Sequence, residues 1–160
     1  MAVTRTSYTV TTCGPPELDD WSALRAELWA DGTVEEHRAE AAMALDEPTR
    51  LFAFLARDAD GRAVGFAEAS VRSDYVNGCS TSPVGFLEGL YVRDDSRQRG
   101  IARGLVMAVE HWARERGCME LASDALLVNA VSQKAHRGMG FSETERVVFF
   151  CKSLEMPDAQ

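Results

Sequence analysis

The spacing of apolar positions changes several times along the chain, and each change marks an element. Tyr8–Thr12 is rich in β-branched and aromatic residues and reads as a short strand. Pro15 and Pro16 then open a helical stretch in which Trp21, Leu24, Leu28 and Trp29 recur on one helical stripe. Thr33-Val34-Glu35-Glu36 has the form of a capping box, which starts a second helix running to about Leu45. Residues 51–56 and 64–71 read as two strands joined through the hairpin signal Asp60-Gly61. Residues 72–83 are crowded with Asp, Asn, Gly, Ser and Thr and read as a long loop, a length that often carries function.

Beyond that loop, residues 86–92 carry large apolar side chains on both faces and predict a buried strand. A turn-like segment, 93–99, leads to a helix over about 100–116, whose apolar stripe is Ile101, Leu105, Val109 and Trp112 and whose end is Gly117. Residues 119–123 predict another strand. Asn129 can cap a last helix that runs to Met139 before Gly140. Residues 141–143 and 147–152 read as two closing strands. The order β-α-α-β-β-β-α-β-α-β-β predicts an α/β (α+β) domain with a mixed central sheet. One domain over residues 1–153 and a frayed tail over 154–160 are expected.

The chain has 160 residues, enough for one domain with a sizeable core, and its 46% hydrophobic and 26% charged residues are an ordinary globular balance. No apolar run approaches the roughly 20 residues that span a bilayer, and the first residues lack the apolar stretch of a signal peptide. A cytoplasmic protein with no membrane partner is the expectation. The formal net charge of −8 argues against nucleic acid as a partner and favours cations, although it equally serves solubility. Cys13, Cys79, Cys118 and Cys151 form no C-x-x-C pair and no Cys/His metal pattern, so no metal is expected.

The strongest local signal is Arg97-Gln98-Arg99-Gly100-Ile101-Ala102, lying between a strand and a helix. Successive backbone N–H groups at a helix start form a nest for an anion. Gly100 lets the backbone approach a ligand closely, Ala102 keeps the first turn slim, and the arginines add positive charge in an acidic protein. The segment resembles the pyrophosphate-binding signature [Q/R]-x-x-G-x-[G/A] of the GNAT acetyltransferase superfamily, matched by Arg97, Gly100 and Ala102. The preceding strand, the following helix and the downstream Asn129 and Gly140-Phe141 stand where that superfamily has them.

The resemblance implies a GNAT fold of about six to seven strands and about four helices. It implies a cleft where the fourth and fifth strands splay apart, with acetyl-CoA as co-substrate. Leu90 and Val92 would offer main-chain contacts to the pantetheine arm. Gln98, Arg99, Gly100, Ile101, Ala102 and Arg103 would form the pyrophosphate cradle. Asn129 looks like the family's cofactor-side asparagine, and it can equally be the N-cap of the last helix.

Several stretches are similar to one branch, the aminoglycoside 6′-N-acetyltransferases: Ser73-Asp74-Tyr75-Val76-Asn77-Gly78-Cys79, Phe86-Leu87-Glu88-Gly89, Ala122-Ser123-Asp124, Ser132-Gln133-Lys134-Ala135-His136 and the early Leu24-Arg25-x-x-Leu28-Trp29. That resemblance implies acetylation of the 6′-amino group and antibiotic resistance, with a dimer built on the C-terminal strands. The run Val147-Val148-Phe149-Phe150 fits such an edge or a core strand. The residues themselves point to a polycationic amine. A mid-strand carboxylate such as Glu88 is costly unless paired, and it reads as a substrate ligand or a structural ion pair. Asp124 ends the neighbouring strand, as a cleft residue or a loop cap. Asp74, Tyr75 and Asn77 lie on the long loop, where Asp74 also suits a turn. Trp29 or Trp21 can wall a pocket, with a core role at least as fitting for Trp21.

For direct acyl transfer the amine must lose a proton, and Glu88 and Asp124 are the candidate acceptors, directly or through water. Many members of the superfamily place a tyrosine four residues before the Gly-Phe pair. His136 stands there instead, either as acid for the departing thiolate or as a helix-surface residue. Two other functions remain open: a GNAT enzyme acting on another small polyamine-like or peptide amine, and a non-catalytic acyl-CoA-binding module.

Overall fold

A computed structural model describes residues 7–48 and 51–154. Strand β1 (Tyr8–Thr12) is followed by helices α1 (Leu18–Leu28) and α2 (Val34–Asp46), the antiparallel strands β2 (Phe52–Asp58), β3 (Ala63–Arg72) and β4 (Val84–Val92), helix α3 (Ile101–Glu115), strand β5 (Leu121–Ser123) and helix α4 (Ala130–Gly138). The sheet order is β1-β2-β3-β4-β5, antiparallel except for the parallel β4–β5 pair, which is the expected mixed sheet. The capping box at Thr33 forms as expected: the Glu36 amide donates to the Thr33 hydroxyl at 3.2 Å, and the Thr33 amide donates to the Glu36 carboxylate at 2.8 Å.

The alternation of β3 divides the core in two. Ala67 and Ala69 face α3, whose Ile101, Leu105, Val106, Val109 and Trp112 are all buried against that side of the sheet. Phe66 faces the other way, under α1 and α2, where Leu18, Trp21, Leu24 and Ala41 close over Leu55. Trp21 is therefore a core residue, 1% exposed, and not a pocket wall. Glu68 lies on the same face as Phe66 and is 2% exposed. The Trp21 indole N–H donates to it at 2.7 Å, and the Arg25 guanidinium pairs with it. Burial pushes the Glu68 carboxyl up, and Arg25 and Trp21 pull it back.

Two features of β4 shape the cleft. Glu68 pairs with Gly89 but Ala69 pairs with Leu87, so Glu88 is an extra residue bulged out of the ladder. The parallel pairing with β5 runs from Gly85↔Leu121 to Leu87↔Ser123 and stops, while β4 continues to Val92. The pairing thus ends at Leu87, immediately before the bulge, where the splayed opening was expected.

The closing strands do not form. Residues 141–154 carry no regular structure, and Val148, Phe149 and Phe150 are 77%, 88% and 93% exposed. The sheet accordingly has five strands, not six or seven. A strand needs a ladder partner, and none pairs with this segment among the described residues. Of the tail expected to fray, residues 155–160 lie outside the described residues. Among the described residues no helix is long and apolar enough to cross a membrane.

Candidate active site

The segment before α3 has the backbone shape expected of an anion cradle. Gln98 and Gly100 both have left-handed backbones, with φ of 61° and 81°, and this alternation turns consecutive amides toward one side. Gly100 is the N-cap of α3 and has no side-chain cap, so the first-turn amides are not closed off by a capping side chain. Ile101 is buried, so only its backbone is available to a ligand. The cradle is held from two sides. The Arg97 Nε donates to the Val92 carbonyl at 2.9 Å, and the Tyr8 hydroxyl donates to the Gly100 carbonyl at 3.0 Å. Tyr8 was not legible as a site residue, because its partner lies 92 positions away. Gly104 permits the contact, since a Cβ there would stand 2.5 Å from the Tyr8 hydroxyl. Of the other cradle residues, Arg103 reaches across to the Gly138 carbonyl at 2.6 Å, tying α3 to the end of α4. Arg99 is exposed, and Ala102 and Leu90 are partly buried against the α3 core.

Glu88 is bonded to the end of β3, through Ser70 and Arg72. Its carboxylate accepts from the Ser70 hydroxyl at 2.5 Å and from Arg72 at 2.9 and 3.0 Å. Arg72 in turn stacks on Phe86, 3.4 Å from the ring centroid. Glu88 is therefore half-buried and paired, and its side chain is 29% exposed and so within reach of a ligand. Next to it, Trp29 at the end of α1 sets the edge of its six-membered ring against Gly89, where a Cβ would stand 2.7 Å from the indole. Trp29 is held from behind by the Arg25 guanidinium, 4.9 Å from its ring centroid, and by His37, whose Nε2 lies 2.9 Å from the Trp29 carbonyl. Replacing Gly89 with alanine pushes Trp29 off the strand.

On the other side of Glu88, the loop presents Asp74, Tyr75 and Asn77 to solvent, with Tyr75 78% exposed. Asn77 donates to Glu145 at 3.2 Å. Asp124 is exposed immediately after β5, where the strands part. Asn129 is the N-cap of α4: its side chain accepts from the Ser132 amide at 3.0 Å. His136 is half-buried, not a free surface residue. Its Nδ1 lies 2.8 Å from the Ser132 carbonyl and its Nε2 lies 2.9 Å from the Ser123 hydroxyl at the end of β5. Trp29, the loop, Glu88, Asp124 and His136 therefore all lie on or beside the end of the β4–β5 pairing.

A second polar cluster carries no signal in the sequence. Arg93 donates to Glu27 at 2.7 Å and Tyr91 donates to the same carboxylate at 3.0 Å, closing α1 onto the end of β4. The Arg93 contact holds the Glu27 carboxyl below its ordinary range. Among the described residues no group of three or more His, Cys, Asp or Glu side chains is placed to hold a metal ion.

The chain resembles known proteins in family profile, in sequence and in fold. The acetyltransferase (GNAT) family profile matches residues 17–141. The chain is 50% identical over 142 residues to an aminoglycoside N(6′)-acetyltransferase type 1 of Serratia marcescens, covering 89% of this chain and 97% of that one. It is 49% identical over 135 residues to the protein of the same name from Salmonella typhimurium, covering 84% and 92%. Among solved structures, the fold is similar to the aminoglycoside N-acetyltransferase AAC(6′)-Iy in complex with CoA, with a TM-score of 0.89 and 42% identity over 96% of this chain and 100% of that one. It is also similar to AAC(6′)-Iy bound to a bisubstrate analogue, CoA-S-monomethyl-acetylneamine, with a TM-score of 0.87 and 44% identity over 93% and 100%.

Proposed function

The chain belongs to the GNAT acetyltransferase family, and from that premise we infer that it transfers the acetyl group of acetyl-CoA to the 6′-amino group of aminoglycosides. The observation that carries this reading is the half-buried carboxylate of Glu88, bulged out of β4 between Trp29 and the polar loop and next to the point where β4 and β5 separate. A groove with carboxylates, hydroxyl partners and an indole face suits ammonium groups set among sugar hydroxyls.

The pyrophosphate of acetyl-CoA rests on the first-turn amides of α3, favoured by the helix dipole and by the bends at Gln98 and Gly100. The pantetheine arm follows the opening between β4 and β5, against Leu90 and Val92. Glu88, with Asp124, holds the ammonium and takes its proton, directly or through a water. The neutral nitrogen then attacks the thioester carbonyl; as the tetrahedral adduct collapses, the nitrogen gives up its second proton to water and the C–S bond breaks, releasing the thiolate of CoA. His136, hydrogen-bonded to Ser123, is the candidate donor of the proton that converts that thiolate to the thiol, a role that requires its Nε2 to carry a proton. Holding the two substrates in one geometry supplies a large part of the rate, worth up to about 7–11 kcal/mol in well-oriented reactions.

Turnover of acetyl-CoA with a panel of 6′-amino aminoglycosides, read as free thiol, tests the reading. Acetylation of peptides or polyamines alone sinks it. The cradle has its own test. Valine at position 100 must adopt a left-handed backbone that costs an L-residue about 1–2 kcal/mol, and its Cβ would also crowd the phosphate path. The expected result is an acetyl-CoA KM raised about tenfold or more, with amine binding retained.

The fully exposed Val148-Phe149-Phe150 run and the three-residue edge strand β5 support a homodimer in which the C-terminal segment of one copy covers the partner. Such a dimer elutes at twice the monomer mass, and Phe149→Asp/Phe150→Asp returns it to monomer. A single domain over residues 1–153, a cytoplasmic location and a role in antibiotic resistance complete the proposal.

A further inference from the structure

Besides the Asn77–Glu145 bond, the loop over residues 73–83 is fixed at three places, although its composition reads as flexible. At its neck the Ser82 hydroxyl donates to the Ser73 carbonyl at 2.9 Å. In its middle Val76 is only 7% exposed, plugged into Val84, Phe86 and Ala122. At its far side a single carboxylate takes three donors. Glu120 accepts from the Ser80 amide at 3.0 Å, from the Thr81 amide at 2.7 Å and from the Thr81 hydroxyl. The same residue's backbone carbonyl accepts from the Gly85 amide at 3.0 Å, so Glu120 joins the loop, the start of β4 and the root of β5.

We propose that Glu120 is a positioning residue for the amine site: by clamping residues 80–81 to the root of β5, it holds Asp74, Tyr75 and Asn77 in place beside Glu88. The proposal rests on the acetyltransferase reading above and adds to it how the substrate loop is made rigid. A flexible loop must be ordered when a ligand binds, and that cost falls on affinity. A latched loop has already met it. Glu120 touches neither the acetyl-donor cradle nor the reacting atoms, so its influence falls on one substrate only. The donors from Thr81 also hold its carboxyl below the ordinary range, consistent with a carboxylate that stays charged in the latch.

The test compares wild type with Glu120→Ala, Glu120→Asp and Thr81→Val. Hydrogen exchange at the Ser80 and Thr81 amides reads the latch itself, and steady-state kinetics with acetyl-CoA and a 6′-amino aminoglycoside reads its consequence. In Glu120→Ala both amides exchange at least tenfold faster and amine KM rises about tenfold. Acetyl-CoA KM and kcat stay within about twofold, and the melting temperature is little changed. Glu120→Asp restores part of the amine KM, and Thr81→Val shows a smaller rise. Unchanged exchange, or equal rises in both KM values, overturns the proposal. If the wild type acetylates a different amine, the functional reading fails, and the KM split measured on that amine still decides for or against the latch.

Discussion

Replacing Arg25 with alanine lowers the stability of the fold by about 3–5 kcal/mol at neutral pH, the loss expected when one partner of a buried ion pair is removed. Arg25 is 7% exposed and bonds in two directions, to Glu68 on β3 and to Glu40 on α2 at 2.6 Å. The two contacts differ in weight. The Glu40 side chain is 63% exposed, and such a pair contributes little. Glu68 is enclosed, and among the described residues only the Trp21 indole N–H remains to donate to it without Arg25. Most of the loss is therefore the cost of an uncompensated carboxylate. The pH dependence separates that cause from lost packing. A buried carboxyl whose folded pKa lies above its unfolded value binds its proton more tightly in the native state. Stability then falls as pH rises through that range and returns as pH is lowered. Wild-type Glu68 already leans this way through burial, and removing Arg25 strengthens the lean. Urea unfolding of Arg25→Ala at neutral pH and near pH 5 therefore shows a smaller loss at the lower pH. Arg25→Ala/Glu68→Leu, which replaces the charge with an apolar side chain, recovers much of the stability. A loss independent of pH and not recovered by the second change refutes the electrostatic account.

This pair also shows how far the chain could be read without coordinates. Elements governed by short-range rules were legible: the capping box at Thr33, the Gly61 hairpin, the stripe of α3 and the cradle at Gly100 all depend on neighbours within a few positions. Glu88 was legible as an anomaly, a carboxylate in an apolar strand; the structural reading is met by its pairing with Arg72, and its remaining exposure supports the proposed role as a substrate ligand. Glu68 was not singled out, because its partners on α1 lie more than 40 positions away. Tyr8, Glu27 and Glu120 escaped for the same reason: each acts on a residue that only the sheet order brings near. The closing strands were overread because a run such as Val147–Phe150 has strand propensity whether or not a partner lies within the same chain.

Glu88→Gln is expected to lower kcat/KM for the amine by about 10²–10⁴-fold, the range for loss of a positioned proton acceptor, while the Kd for acetyl-CoA stays within about twofold. Glutamine keeps the shape of the side chain and an oxygen that can still accept from Ser70, so the fold tolerates it. What it lacks is the charge that holds an ammonium and the basic site that accepts its proton. Arg72 sharpens the test. It shares the Glu88 carboxylate, but its side chain is 42% exposed and it can swing toward solvent when a substrate ammonium arrives. A purely structural ion pair makes Arg72→Ala and Glu88→Gln equivalent, since either breaks it. A substrate carboxylate makes them unlike: removing Arg72 frees Glu88 for the ammonium and costs little turnover, whereas removing the charge of Glu88 leaves the ammonium without a base. Similar losses in the two variants, or a loss below about threefold in Glu88→Gln, would move the proton acceptor away from Glu88 and toward Asp124 at the end of β5.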